Sequence, residues 1–182
     1  MRRAVRVIER ISRIFGAAAA ALVLVLMALM AYEVALRYVF KAPTVWSYDV
    51  STMTMGAVFV LSIGYTLATN AHVRVDILKP LFGRRGPHVI DFVGYAFVML
   101  PLLLWLTWAF WGYFHDAWLS QERSGQSAWN PKVWPFRLVM LAGVAVWMLQ
   151  TLAEVAKAGL ALAGHPLEAE RPVENSRPSE AG

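Results

Sequence analysis

Between Ile14 and Tyr32 the chain runs for nineteen residues without a charge. Wound as an α-helix at about 1.5 Å per residue, that stretch is roughly 28 Å long, close to the thickness of a bilayer's hydrocarbon core. It is read as a membrane-spanning helix, and the remaining chain has to be arranged around that solvent. Its character changes within one turn. Glu33 and Arg37 stand four apart, where they pair on one helix face, and Pro43 and Trp46 mark an interfacial turn.

The alternation of apolar span and polar turn repeats, predicting four spans at about 14–36, 50–69, 90–115 and 133–160. The second, from about Val50, carries Gly56, Ser62 and Gly64, which in hydrocarbon usually face another helix. The third has twenty-four uncharged residues from Phe92 to His115, with Pro101 near its middle. A proline there is expected to kink the helix, leaving neighbouring helices or shifted hydrogen bonds to satisfy the freed backbone group. The fourth is uncharged from Leu138 to Ala153, about 24 Å. It continues past Glu154 and Lys157, which are three apart and able to pair or snorkel. Residues 1–163 are thus expected to form one four-helix membrane domain, and 164–182, rich in Pro, Glu, Ser and Arg, a disordered tail.

Before the first span, Met1 to Arg13 places Val7, Ile8, Ile11, Ile14 and Phe15 on one helical face and Arg6, Arg10 and Arg13 on another, an amphipathic interfacial lead-in. The apolar run after it is too long for a signal-peptide core and no small-residue cleavage site follows, which predicts an uncleaved anchor. Gly16 and Ala17 to Ala21 offer a smooth patch for close helix approach or face lipid. Of the seventeen Lys and Arg residues, twelve lie in the two termini and the connection between spans two and three, and five in the other two connections. By the positive-inside rule both termini are expected to be cytoplasmic. Seven of the eight tryptophans (46, 105, 108, 111, 118, 129 and 134) then fall toward the outer side, as an interfacial belt or as a docking surface. Pro43-Thr44-Val45-Trp46 and Pro131-Lys132-Val133-Trp134 occupy corresponding places in the two halves, as a duplicated helical hairpin would put them.

The chemistry-bearing residues are sparse. With 58% hydrophobic and 16% charged residues the composition is not that of an ordinary soluble domain, and the net charge of +5 comes from residues flanking apolar spans, not from a nucleic-acid groove. There is no cysteine, hence no disulfide framework and no thiolate site. The histidines, His72, His88, His115 and His165, lie at span ends or in connections, where they cannot face one another to hold a haem. The spans show no deeply placed ionisable group for a proton relay or an ion site, and no nucleophile elbow, metal-ligand spacing or phosphate loop occurs. Neither an enzyme nor a cofactor is expected. Four spans without paired broken helices make a poor self-sufficient carrier, so the reading is of a helper subunit.

Three segments carry a resemblance. Arg37-Tyr38-Val39-Phe40 leading through Pro43 to Trp46, then His72-Val73-Arg74-Val75-Asp76, then Trp129-Asn130-Pro131 with Trp134-Pro135, together resemble the small permease (DctQ-type) subunit of tripartite ATP-independent periplasmic (TRAP) transporters over about residues 5 to 160. Where that family leads one to expect two acidic residues after the tryptophan, this chain has Ser47-Tyr48-Asp49. The resemblance implies an all-α integral membrane protein of the bacterial inner membrane, with four transmembrane helices and both termini inside. It also implies a large permease subunit as partner, a periplasmic substrate-binding protein that docks transiently, and ion-driven, usually sodium-driven, uptake of an organic acid. Arg37, Pro43, Trp46, Asp49, His72, Asp76, Trp129, Pro131 and Trp134 are the candidate structural or partner-contact residues. The alternative is a four-helix membrane redox or quinone-interacting anchor.

Overall fold

The structure is a computed structural model, which describes residues 2–69 and 92–162 and the side chains of 3–69 and 92–160. It is helical throughout, and among the described residues the only strand-like pairing is an isolated antiparallel bridge between Arg123 and Lys132. The helices are α1 (Arg2–Tyr38), α2 (Ser47–Ala68), a π-helical turn (Gly94–Met99) that runs directly into α3 (Leu100–Ser120), and α4 (Trp134–Leu162). All four helical spans are long and apolar enough to cross a bilayer, and the chain is a multi-pass membrane protein. The tail 164–182 and the connection 70–91, with His72, Asp76 and His88, lie outside the described residues.

The expected lead-in is continuous with the first span: α1 is a single helix of 37 residues, about 55 Å, well beyond one hydrocarbon thickness. Its first turns do not bury the face that soluble-protein logic would choose. Val7 and Ile14 are exposed and Ile8, Ile11 and Phe15 only half-buried, whereas Ser12 and, in part, Glu9 are turned toward α4. In a bilayer this is the economical choice, because lipid solvates Val and Ile as well as another helix does, while polar groups need partners inside the protein.

Around Pro101 the adjustment is a change of hydrogen-bond register. Immediately before the proline the helix passes through the π turn, and the Leu100 N–H bonds to the carbonyl of Tyr95, five residues back. A wider turn on the N-terminal side of a proline is where a helix accommodates the missing N–H and the ring.

The helices do not form a closed square. α1 packs on α2 and α4, α2 packs on α4, and α3 packs on α4 alone among the described residues. α4 is therefore the central element: 39% of its most apolar window is buried, against 6% for both α1 and the third span. Close approach is mediated by small residues. A methyl group added at Gly143 on α4 would fall 2.3 Å from Val60 Cγ1, one at Gly64 on α2 would be 3.1 Å from Val146 Cγ1, and one at Gly16 on α1 would be 2.5 Å from Tyr65 Cγ. Ala19 and Ala57 complete this seam with Leu61, beneath Phe15, Leu22 and Val139. Of the Gly16 to Ala21 patch it is thus Gly16 and Ala19, three apart, that meet α2; Ala17, Ala18, Ala20 and Ala21 stay exposed. Such seams let van der Waals packing hold helices together where the hydrophobic effect gives no preference for protein over lipid.

Candidate functional site

The polar side chains gather at the two ends of the bundle. At one end lie the α1–α2 turn and the α3–α4 loop; at the other lie the N-terminus of α1 and the C-terminal part of α4.

In the α1–α2 turn Glu33 is the hub. Its carboxylate accepts from Arg37 Nη2 at 2.7 Å on its own helix, and from Thr44 Oγ1 at 2.6 Å and Thr44 N–H at 3.3 Å across the turn. Ser47, the first residue of α2, also hydrogen-bonds to it. Glu33 is buried although Arg37 is not, so the acid is the fixed point and the arginine reaches to it. Pro43 shapes the exposed turn between them, and Trp46 stacks on Tyr32 with ring centres 6.3 Å apart. The turn is thereby fastened by one polar and one aromatic contact back onto α1.

The α3–α4 loop is fastened in the same two ways. Trp134, opening α4, meets Trp118 of α3 edge to face at 4.6 Å. Arg137, 6% exposed, lies 3.5 Å over the Tyr113 ring, donates to the Tyr113 carbonyl at 3.0 Å and pairs with Glu122 at 2.7 Å. Within the loop Asn130 takes a left-handed conformation; its side chain accepts from the Gly125 N–H, and the Pro131 carbonyl accepts from the Ser124 N–H at 2.9 Å. The loop reaches α2 through Ser127, which donates to Asp49, a carboxylate only 2% exposed in the first turn of its helix, where negative charge is favoured. The Trp129 N–H is oriented by the same Ser127 hydroxyl, and the indole is about half exposed. Between loop, α2 and α4 a cavity of about 200 Å³ is lined by Asp49, Thr52, Tyr113, Glu122, Arg123 and Arg137 among others.

At the opposite end a chain of contacts ties α1 to α4. Ser12 donates to Gln150 Oε1 at 2.9 Å, Gln150 Nε2 donates to Glu154 at 3.1 Å, and Lys157 Nζ bridges Glu154 at 2.9 Å and Glu9 at 2.6 Å. Ser12 and Gln150 are fully buried. The expected Glu154–Lys157 pair is present, but it is part of an interhelical network and not an isolated interfacial pair.

Of the sequence candidates, Arg37, Pro43 and Trp46 meet in the first turn, Asp49 comes to the second loop with Trp129 and Pro131, and Trp134 anchors that loop to α3. His72 and Asp76 lie outside the described residues. Sequence reasoning passed over Thr44, Tyr113, Glu122, Ser127 and Arg137, and over Glu9, Ser12 and Gln150. The sequence places no ionisable group deep in the spans; Glu33, Asp49, Arg137 and Glu154 are buried, each near a helix end. A signal for Arg137 did exist: it stands three residues after Trp134, as Asp49 stands three after Trp46, so the weak internal echo extends to a buried charged residue in each half. Among the described residues, no three His, Cys, Asp or Glu side chains are grouped as metal ligands.

A family model described as the DctQ component of tripartite ATP-independent periplasmic transporters matches residues 26–159 of the chain. No curated protein and no solved structure matches it.

Proposed function

Because the chain belongs to the DctQ-component family of tripartite ATP-independent periplasmic transporters, whose members are small membrane subunits of such complexes, we propose that it braces the large permease subunit without itself carrying cargo. The reading extends to ion-gradient-driven uptake of an organic acid delivered by a periplasmic binding protein, in a bacterial inner membrane with both termini cytoplasmic.

The observation that carries the bracing role is the condition of the polar groups. The buried polar and charged residues Ser12, Glu33, Ser47, Asp49, Arg137, Gln150, Thr151 and Glu154 each have a partner within the chain, and among the described residues the Trp147 indole N–H is the one buried side-chain polar group without one. A translocating site needs polar groups that exchange partners with cargo or ion, commonly at broken helices near mid-bilayer. Here those groups serve to fasten turns and helix ends, which suits a rigid scaffold. Both loops at one end are tied back to the bundle, so Trp129, the exposed Arg123 and Lys132, and the first turn form a fixed surface for the binding protein to meet.

The test is gentle detergent extraction of the tagged chain from its native cells, with mass spectrometry of what co-purifies and an absorbance scan of the same sample. A much larger polytopic membrane protein in about equal amount is the expected result. Recovery of the chain alone, or with a haem band, would overturn the bracing role and favour the redox-anchor alternative.

A further inference from the structure

Two faces of the bundle are broad, apolar and uncovered among the described residues, and they differ in chemistry. On α1 the exposed surface is made of Val23, Leu24, Val25 and Met27, side chains with no hydrogen-bonding hydrogen to satisfy. Lipid tails solvate such a face completely. On the third span, which among the described residues packs only on α4, the exposed surface carries Phe97 in the π turn and Trp105, Trp108 and Trp111 in α3, with 71%, 61%, 73% and 56% of their surfaces exposed.

Spacing puts these indoles on one stripe, three residues apart along the helix. Depth is the informative quantity. The uncharged stretch of this span runs from Phe92 to His115. Measured from its centre, Trp105 lies about 2 Å away along the helix, Trp108 about 7 Å and Trp111 about 11 Å. A tryptophan belt belongs at the headgroup level, where the indole N–H reaches water or lipid carbonyls. Trp111 fits that description, but Trp105 does not, and Trp108 only barely. At mid-bilayer an indole N–H facing tails has no acceptor, and among the described residues α1 and α2 do not reach α3 to supply one.

Resting on the bracing reading, we propose that the Trp105–Trp108–Trp111 stripe of α3 is the seat of the large permease subunit, whose transmembrane helices supply hydrogen-bond acceptors to these indoles, while the aliphatic face of α1 is left to lipid. The indole rings add large, rigid contact area at little conformational cost, as protein interfaces favour. Gly112, with open space within 4 Å of where a side chain would begin, leaves a notch in the same helix for an incoming side chain.

The experiment places a photo-crosslinking benzoylphenylalanine at 105 or 108 and, for comparison, at 24 or 27, in the full chain co-expressed with its large subunit. Adducts with the large subunit from 105 and 108 but not from 24 and 27 are the expected result. In parallel, Trp105→Phe/Trp108→Phe, which keeps the rings and removes the N–H donors, should lower the yield of complex about five- to tenfold. The variant chain should still insert and elute as a single species. If the unmodified chain co-purifies with the large subunit but 105 and 108 capture only lipid or a second copy of this chain, or the Phe pair assembles at full yield, this assignment falls and the bracing role stands. If the unmodified chain recovers no large subunit, the bracing role itself fails and this assignment with it.

Discussion

Replacing Gly143 by alanine tests whether the α2–α4 seam depends on close backbone approach. The added methyl would lie 2.3 Å from Val60 Cγ1 and 3.1 Å from both the carbonyl carbon and the oxygen of Val60. Carbon atoms in favourable contact stand about 3.5–4.0 Å apart, so more than 1 Å has to be found. Turning the Val60 side chain relieves only part of the clash, because a β-branched residue in a helix has essentially one rotamer and the carbonyl does not move with it. Overpacking of this kind costs about 1–3 kcal/mol. Against it stands the helix preference of alanine over glycine, about 1 kcal/mol. The net expectation is a loss of about 0–2 kcal/mol. Gly112→Ala is the control: nothing lies within 4 Å of its new methyl, so only the helix-propensity gain remains. The two variants should therefore differ by the overpacking cost, about 1–3 kcal/mol, when unfolded by SDS titration in mixed micelles. Adding Val60→Ala to Gly143→Ala should recover part of the loss but not all, since the contact with the backbone persists. Equal stability of Gly143→Ala and Gly112→Ala, or full recovery in the double variant, would refute the argument that backbone proximity sets the geometry of this seam.

Other perturbations probe the polar fastenings. Lys157→Met leaves Glu154 without its cation and Glu9 with only the exposed Arg13 at 4.0 Å, and should cost about 2–3 kcal/mol in the same titration. Adding Glu9→Gln and Glu154→Gln should return most of it, and no return would mean the network is not held by charge. Ser127→Ala removes a hydroxyl that donates to the buried Asp49, so limited proteolysis should nick the 121–133 loop faster, with about 1–2 kcal/mol lost overall. Arg137→Lys gives up the planar stacking on Tyr113 together with the forked contacts to a carbonyl and to Glu122, and should loosen the same loop at least as much. Trp46→Ala and Trp134→Ala, each removing one aromatic clasp, should reduce complex assembly or transport; full transport at normal complex yield would exclude a role for the clasps.

The four spans and their turns were legible in the chain because the bilayer acts on each segment separately. Nineteen uncharged residues from Ile14 must cross whatever their neighbours do, since a helix satisfies its own backbone and lipid accepts its side chains. The turn chemistry was local in the same sense: Glu33 and Arg37 pair within one helix, and Pro43 and Trp46 lie within a few residues of the contacts they make. Pro101 announced a disturbed backbone as well, although that the adjustment would be a π turn on its N-terminal side was decided by the folded helix.

What the sequence could not disclose is which faces meet. Leu and Val are equally at home against lipid or another helix, so apolar periodicity, which locates the core of a soluble protein, carries almost no information here. The first turns of α1 illustrate this, because Val7 and Ile14 of their apolar stripe face outward while Ser12 and Glu9 face inward. Their partners, Gln150 and Lys157, stand 138 and 148 residues further along. Arg137 likewise reads as one more basic residue beside a loop until Tyr113 and Glu122 are brought around it. By itself the sequence determined how many times the chain crosses the membrane and where it turns, a matter of transfer free energy summed segment by segment. Only the tertiary structure decided that α4 is central and α3 an outlier, because that choice rests on small residues fitting together and on distant polar groups finding one another.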